Sequence, residues 1–257
     1  MPELTINGRT FEAPPETNLL QAIRQAGEHL PTLCHWEGLP PYGACRLCLV
    51  EVERPGAVTG ETEAAVVAAC TYPAADGLVV DTHGPQATAV RRMMLEFMLA
   101  RCPNSETIQQ LAAEAGVSQT RFPVNENAEE LCILCGLCVR VCRDLVGAAA
   151  ISFIDRGAER MVGAPFQLQS EACIGCAACA AVCPTGAVSI EDVDGQRVLR
   201  TWNTTVPLHR CPECGQPYAP EPMAFLKGLV PVSAERWGMC PKCRRQTTAA
   251  QLEVVRL

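Results

Sequence analysis

The sequence contains two runs of cysteine with one spacing, Cys132-Ile-Leu-Cys135-Gly-Leu-Cys138-Val-Arg-Val-Cys142 and Cys173-Ile-Gly-Cys176-Ala-Ala-Cys179-Ala-Ala-Val-Cys183-Pro184. Each reads C-x2-C-x2-C-x3-C, and the second begins 41 residues after the first. Six of their eleven positions are identical, so the runs form a short internal repeat. A tight loop with a thiolate at every third residue holds three corners of a metal cluster, and the fourth ligand must come from elsewhere.

This spacing predicts two [4Fe–4S] clusters of the kind that bacterial ferredoxins bind. In two-cluster ferredoxins the fourth cysteine of each run ligates the other cluster, which brings the two clusters close together. We therefore expect cluster A on Cys132, Cys135, Cys138 and Cys183, and cluster B on Cys173, Cys176, Cys179 and Cys142. Structural zinc usually takes two separated C-x2-C pairs, and a chain of this length does not need a disulfide scaffold.

Composition indicates several small modules built around metals. The chain has 257 residues with 17 cysteines, 20 prolines and 19 glycines, and only 5% of its residues are aromatic. We expect an α+β protein with modules at 1–82, 83–131, 132–195 and 196–257. The sequence has no secretory h-region and no apolar run of membrane-spanning length, which predicts a soluble, cytoplasmic protein with reduced thiols. A net charge of −7 argues against a nucleic-acid partner.

The first 82 residues predict a β-grasp domain. Asn7-Gly8 between alternating apolar residues indicates a hairpin, and Thr17 is expected to cap a helix that ends at Gly27. Four cysteines follow, Cys34, Cys45, Cys48 and Cys70. Four thiolates in one module fit a [2Fe–2S] cluster, although ten residues separate the first two, where plant ferredoxins have four. A zinc site is the alternative.

The run Tyr42-Gly43-Ala44-Cys45-Arg46-Leu47-Cys48-Leu49-Val50-Glu51-Val52 resembles the first cluster-binding loop in iron–sulfur subunits of NAD-linked hydrogenases. The same module begins the large iron–sulfur subunit of respiratory complex I and many [FeFe]-hydrogenases. The resemblance covers roughly residues 1 to 195. It implies that Cys34, Cys45, Cys48 and Cys70 ligate a [2Fe–2S] cluster. The interval from Cys48 to Cys70 is longer than the family leads us to expect, and residues 54 to 63 look like a surface insertion.

Residues 83–131 predict a helical bridge. A helix should begin near Pro85 and place the apolar residues of 90–99, including three methionines, in the core. A second helix should run from Ser105 to Ala115 and end at Gly116. Related subunits carry a further cubane here, bound by one histidine and three cysteines. This chain has only Cys102 in that stretch, so we expect the cubane to be absent and Cys102 to be a buried thiol.

The C-terminal module contains two C-x2-C knuckles separated by 25 residues. This pattern predicts a tetrahedral site in a zinc-ribbon-like module, with four ligands, Cys211, Cys214, Cys240 and Cys243. Zinc is the expected metal. A mononuclear iron of the rubredoxin kind is the alternative, because Tyr218 and Trp237 accompany the cysteines.

The sequence has no dinucleotide fingerprint, no P-loop and no nucleophile elbow, so we expect no catalytic residues. Its predicted centres carry single electrons between sites located elsewhere. The resemblance implies an electron-transfer subunit of a multi-subunit NAD(P)-linked oxidoreductase of the hydrogenase or formate dehydrogenase type. Its partners would be a flavin subunit that oxidises NAD(P)H and a catalytic subunit. A free-standing polyferredoxin and a nucleic-acid-binding iron–sulfur sensor are the alternatives.

Overall fold

The computed structural model describes residues 1–55, 62–220 and 238–254. They divide into two compact units. The first comprises Met1–Leu137 and Pro184–Ala187, and the second comprises Cys138–Cys183 and Val188–Leu257. The predicted insertion lies mostly at 56–61, outside the described residues, as does Trp237.

The first unit combines a five-stranded mixed sheet with three helices. The strands are β1 (Glu3–Ile6), β2 (Arg9–Glu12), β3 (Leu49–Pro55), β4 (Thr62–Ala68) and β5 (Val79–Asp81), and the helices are α1 (Leu19–Gln25), α2 (Pro85–Arg101) and α3 (Glu106–Glu114). The sheet order is β2-β1-β5-β3-β4. Strands β1 and β5 pair in parallel, and the other neighbours in this sheet pair antiparallel.

The predicted Asn-Gly hairpin is confirmed. Asn7 and Gly8 adopt φ of 48° and 79°, the left-handed pair that a two-residue turn between β1 and β2 requires. The core of this domain joins apolar side chains of β1, α1 and β3, including Ile6, Leu20 and Val50. Helix and sheet therefore share one core, in the β-grasp arrangement.

The expected cap of α1 is corrected by one residue. Asn18, not Thr17, caps the helix: Asn18 Oδ1 accepts from the Gln21 N–H (3.0 Å), and Gln21 Oε1 accepts from the Asn18 N–H (3.2 Å). These two bonds form a capping box, which a threonine one position earlier could not close with Gln21. The Thr17 hydroxyl instead donates to the Pro14 carbonyl.

Both helices of the bridge are confirmed, but one expectation about α2 is wrong. Its apolar residues do not all enter the core, because Val90, Met93 and Phe97 are each about two-fifths exposed, whereas Leu95 and Met98 are buried. The ring of Phe97 stacks on Phe122 at 4.1 Å between centroids, so part of this outer face is covered by the loop that follows α3. Among the described residues, no helix is long and apolar enough to cross a membrane.

The second unit contains short helices around the cysteines and a four-stranded sheet. Its elements are α4 (Leu137–Arg140, beginning at the last residue of the first unit), a π-helical turn (Val141–Leu145), β6 (Ser152–Ile154), β7 (Met161–Gly163), α5 (Ala178–Ala181), β8 (Ile190–Val193), β9 (Gln196–Leu199), β10 (Thr204–Arg210), β11 (Pro217–Pro220) and α6 (Pro241–Val254). Strands β6 and β7 pair with each other, and the larger sheet has the order β11-β10-β9-β8.

Strand β10 connects the residues after the second cysteine run to the C-terminal cysteines. Its first half pairs with β9 and its second half pairs with β11. Strands β8 and β9 form a hairpin whose turn is Asp194-Gly195, with Asp194 at φ 52° and Gly195 at φ 79°. The expected module boundary at 195/196 falls inside this turn, so hydrogen-bonded strands continue across it.

Candidate functional site

The first four cysteines are buried in the β-grasp domain as two contacting pairs. Cys34, Cys45, Cys48 and Cys70 are each at most 4% exposed. The N–H of Cys45 donates to Cys34 Sγ (3.4 Å), and the N–H of Leu33 donates to Cys45 Sγ (3.5 Å). The other pair is Cys48 and Cys70, whose thiols share a hydrogen bond. Paired thiols suit a two-iron cluster, in which each iron takes two protein ligands.

Contact within each pair shifts the pKa values of its thiols. The hydrogen bond with Cys34 raises the pKa of Cys45, and burial adds to this effect. The hydrogen bond with Cys70 raises the pKa of Cys48 and lowers that of Cys70. Such crowded thiols repel one another once ionised, and a bound cation removes that repulsion. The donor set therefore fits a [2Fe–2S] cluster.

Gly43 allows the cluster loop to pack against the residue that follows Cys70. It has a φ of 69°, and a Cβ there would lie 3.2 Å from Thr71 Cγ2. A side chain at this position would push the loop away from Cys70. The glycine before Cys45 is therefore explained by a close contact as well as by its backbone conformation.

The two cysteine runs fold locally in the same way. The second residue after the first cysteine is left-handed in both, at Leu134 (φ 56°) and Gly175 (φ 65°). The fourth is also left-handed in both, at Gly136 (φ 76°) and Ala177 (φ 67°). A short helix then begins at the fifth, in α4 and in α5. Alternation with left-handed residues turns successive N–H groups into a concave nest for anionic sulfur.

The four thiols expected for cluster B line a single cavity within the second unit, here named the cluster B cavity. Its wall contains four cysteines, Cys142, Cys173, Cys176 and Cys179. The fourth cysteine of the first run thus meets the first three of the second run, as the crossed assignment requires. The N–H of Ala150 donates to Cys142 Sγ (3.3 Å), and the indole N–H of Trp202 donates to Cys179 Sγ (3.4 Å).

Burial and neighbouring sulfurs raise the pKa of two thiols in this cavity. Desolvation is the largest cause for Cys173, and nearby Cys142 and Cys176 add to it. Desolvation also raises the pKa of Cys179, and the hydrogen bond from Trp202 opposes that rise. The iron ions of a cluster supply the positive charge that such desolvated thiolates need, so the donor set fits a [4Fe–4S] cluster.

The ligands expected for cluster A fall in both units. Cys132 and Cys135 belong to the first and Cys138 and Cys183 to the second, so their common cluster stays a prediction. Cys132 is held locally from two sides: its carbonyl accepts from Arg101 Nε (2.7 Å), and its N–H donates to Glu130 Oε1 (2.7 Å). Arg101 and Glu130 also form an ion pair (3.6 Å).

The C-terminal cysteines converge on one point. The Sγ atoms of Cys211, Cys214, Cys240 and Cys243 all lie within 4.8 Å of one another. Cys214 is exposed and the other three are buried. Four thiols at this separation fit a single tetrahedral metal ion, either zinc or iron. Tyr218 packs against the cluster of these cysteines.

Backbone N–H groups favour the ionised form of two of these thiols. The N–H of Cys240 donates to Cys211 Sγ (3.3 Å), and this bond is the main reason that the pKa of Cys211 falls to about 6. The N–H of Cys243 donates to Cys240 Sγ (3.4 Å) and lowers the pKa of Cys240. Knuckle N–H groups that point at sulfur are the usual second layer of a thiolate metal site.

Cys102 is not among the predicted ligands and lies at the C-terminal end of α2, next to Arg101, which binds the Cys132 carbonyl. It is fully buried, and its N–H donates to the Met98 carbonyl (2.8 Å). Desolvation raises the pKa of this thiol to about 12. A buried, protonated thiol agrees with the structural role that the sequence predicts for it.

Sequence reasoning missed the residues that support the ligands from outside the cysteine runs. Trp202 lies 23 residues beyond Cys179, and Arg101 lies 31 residues before Cys132. No spacing rule connects such positions. The one available indication was the presence of a tryptophan in a chain with only 5% aromatic residues.

Two family models match the chain at these sites. A 2Fe-2S iron-sulfur cluster binding domain matches residues 2–85, and a 4Fe-4S dicluster domain matches residues 131–187. The chain is therefore an iron–sulfur protein that combines a [2Fe–2S] ferredoxin-like domain with a [4Fe–4S] dicluster domain. Both matches end before the C-terminal cysteines.

The chain is related to iron–sulfur subunits of NAD(P)-linked oxidoreductases. It is 30% identical to an NADH-quinone oxidoreductase G subunit of Rhizobium meliloti, over 84% of this chain and 27% of the relative. It is 29% identical to the alpha subunit of NADPH-Fe(3+) oxidoreductase of Geobacter sulfurreducens, over 83% and 27%. The chain thus spans about a quarter of these relatives.

A solved structure of an NAD+-reducing [NiFe]-hydrogenase in the H2-reduced state is also similar. The TM-score is 0.52 and the identity 28%, over 63% of this chain and 74% of the hydrogenase chain. The family resemblance stated from the cysteine loop at residues 42–52 is confirmed by these relatives.

Proposed function

We propose that this chain is an electron-transfer subunit of a multi-subunit NAD(P)-linked oxidoreductase. The cluster B cavity carries the proposal, because its wall brings together four thiols from both cysteine runs in a domain of the dicluster kind. Iron–sulfur clusters supply one-electron transfer when bound, and cysteine-ligated plant-type clusters work near roughly −400 mV. That range suits electrons from hydrogen, formate or reduced ferredoxin.

We further propose one [2Fe–2S] cluster on Cys34, Cys45, Cys48 and Cys70 and two [4Fe–4S] clusters on the repeat. A matched pair of variants tests the first. Cys45→Ser should abolish the [2Fe–2S] signal in electron paramagnetic resonance (EPR) spectra and leave the [4Fe–4S] signals, because the two sets of ligands lie in different matched domains. Cys102→Ser should change neither. Loss of every signal in the first variant would refute independent modules.

A groove beside the first site is a suitable place for electron exchange. It has a volume of about 630 Å³ and is lined by Cys70, Glu16 and Glu37, among others. Trp36, next to Glu37 in the chain, is 45% exposed. Because Cys70 reaches this groove, an electron leaving the proposed cluster would cross little protein before it met a partner docked there.

The partners proposed are a flavin subunit that oxidises NAD(P)H and a catalytic subunit of the hydrogenase or formate dehydrogenase type. The named relatives are subunits, which supports fixed assembly over a free polyferredoxin. The proposed compartment is the cytoplasm, because thiols stay reduced there and are free to bind metal. The net charge of −7 gives no support to the nucleic-acid-binding sensor.

For the four C-terminal cysteines we propose a structural zinc ion in a ribbon-like module, with mononuclear iron as the alternative. One bound zinc with no high-spin ferric EPR signal would support zinc. Such a signal, removed by Cys211→Ser, would establish iron instead. Neither result changes the proposed electron transfer through the other three sites.

Reduction by NAD(P)H tests the proposed function. The purified chain should not be reduced by NAD(P)H alone, since no dinucleotide site is proposed for it, and should be reduced once the native flavin subunit is added. Isolation from the native host should yield one stoichiometric complex. Reduction by NAD(P)H without a partner would contradict the proposal, and recovery only as a free monomer would favour the polyferredoxin.

A further inference from the structure

One wall of the cluster B cavity comes from sequence beyond the cysteine repeat. Leu199, at the end of β9, and Trp202, in the turn that follows, both line the cavity. Their side chains are 1% and 5% exposed. The match to the 4Fe-4S dicluster domain family ends at residue 187, so both residues lie outside the matched segment.

Trp202 places a hydrogen-bond donor on one proposed ligand. Its Nε1 lies 3.4 Å from Cys179 Sγ, and the contact is buried. An indole N–H donates and cannot accept, so this contact has one direction. The Trp202 carbonyl accepts from Thr204 Oγ1 (2.8 Å), and Thr204 is itself buried. The backbone that carries the indole is therefore fixed.

The sheet that carries Trp202 also packs against the second cysteine run. Arg197 Nη1 donates to the Gly175 carbonyl (3.0 Å), and the same guanidinium makes two bonds to Asp192 (2.7 and 2.8 Å). A Cβ on Gly175 would lie 3.2 Å from Val206 Cβ and 3.1 Å from Pro220 Cγ. The cysteine loop and the sheet thus meet at several points, which sets the position of the indole.

We propose that Trp202 is a positioning residue that raises the reduction potential of the cluster held by Cys179. This inference rests on the proposed function, because it requires cluster B. Reduction by one electron adds one negative charge, and a donor hydrogen bond to a ligand sulfur stabilises the more negative state. Without the N–H, the ratio of reduced to oxidised cluster at a fixed potential should fall about tenfold, which corresponds to ~59 mV for a one-electron couple.

Trp202→Phe in the full chain tests this inference, because phenylalanine keeps an aromatic wall and removes the donor. In a dithionite titration followed by EPR, the ratio of reduced to oxidised cluster at a fixed potential should fall about tenfold for one [4Fe–4S] cluster. The signal of the other [4Fe–4S] cluster and the iron content should stay unchanged. Trp36→Phe is the matched control, since Trp36 is 45% exposed and belongs to the other unit. It should shift neither [4Fe–4S] signal.

Leu199→Ala distinguishes the effect of the Trp202 hydrogen bond from the effect of filling the cavity wall. Opening the cavity admits water, and a more polar surrounding favours the more negative reduced cluster, so this variant should shift the same signal towards easier reduction. Opposite shifts in the two variants are the expected result. A shift of the same sign in both would mean that Trp202 acts only by filling space, and would overturn the proposal.

Two further outcomes are distinguishable. A wild-type chain with no [4Fe–4S] signal would refute the proposed function, whereas two signals with unchanged potentials in Trp202→Phe would refute only the role of Trp202. If Trp202→Phe loses iron, the test uses instead the wild-type chain with an isotopic label at the indole nitrogen of tryptophan. Electron–nuclear double resonance on the reduced protein should show coupling to that label, and its absence would overturn the proposal.

Discussion

Glu51 on β3 accepts the backbone N–H of Gln86 in the first turn of α2, at 2.6 Å. The same Oε1 accepts from the Ala87 N–H (3.1 Å). Gly84, at the N-cap, makes no side-chain cap, and a Cβ on it would lie 2.3 Å from Glu51 Cδ. The strand that follows the first cysteine loop therefore supplies the cap of the long helix, with a negative charge at the positive end of the helix.

Glu51→Ala should loosen the start of α2. Loss of both bonds is expected to cost about 1 kcal/mol, so the amides of Gln86 and Ala87 should exchange with solvent about fivefold faster, measured by hydrogen exchange. Glu51→Gln, which keeps an acceptor oxygen, should show a smaller change. Glu53→Ala, at an exposed position on the same strand, is the control. Equal acceleration of amide exchange in Glu51→Ala and Glu53→Ala would contradict a capping role for Glu51.

Gly175→Ala should disturb the contact between the second cysteine run and its sheet. The new Cβ would press on Val206 and Pro220, and the left-handed backbone disfavours any side chain, so a loss of more than about 1 kcal/mol is expected. Gly186→Ala is the matched control, because Gly186 has a similar φ (68°) with open space around it. Both variants strain a left-handed backbone, but only Gly175→Ala adds close contacts. Thermal loss of the cluster absorbance should therefore occur at a lower temperature in Gly175→Ala than in Gly186→Ala.

Cys102 should resist alkylation in the folded protein. Its pKa is raised to about 12, so the reactive thiolate is scarce at pH 8, and the thiol is also buried. Because the folded pKa lies above the ordinary value near 9, protonated Cys102 stabilises the fold fully below about pH 9, and this contribution is lost as the pH rises through 12. Peptide mapping by mass spectrometry should detect the label only after unfolding. Labelling of native protein at pH 8 would contradict this account.

Cys211→Ser should remove the C-terminal metal and leave the iron content of the other sites unchanged. The three remaining thiols would hold the ion poorly, because Cys211 is a buried member of the set. Metal analysis and limited proteolysis measure the outcome, and faster cleavage is expected near residue 240. Loss of iron together with the C-terminal metal would show that the sites do not fold independently.

Much of the fold could be predicted because its determinants are local. Asn7-Gly8 and Pro85 each impose a backbone conformation on their own neighbours, and the corresponding hairpin and helix are confirmed. The repeated cysteine spacing also predicted that Cys142 and the second run would meet, and these thiols share a cavity.

The remaining features depend on contacts between distant residues. The cap of α1 requires Asn18 and Gln21 to exchange bonds, and a capping residue one position away looks equally suitable in sequence. The apolar positions of α2 did not reveal that Phe97 would stack on Phe122 instead of entering the core. The contact between Trp202 and Cys179 depends on how β9 and β10 pack, which no spacing of residues encodes.

Metal analysis of the anaerobically purified full chain, combined with EPR of its reduced form, tests the central claim most directly. We expect about ten irons and one zinc per chain, with signals from one two-iron and two four-iron clusters. A chain that stays colourless after anaerobic reconstitution, or one that binds about fourteen irons, would contradict it.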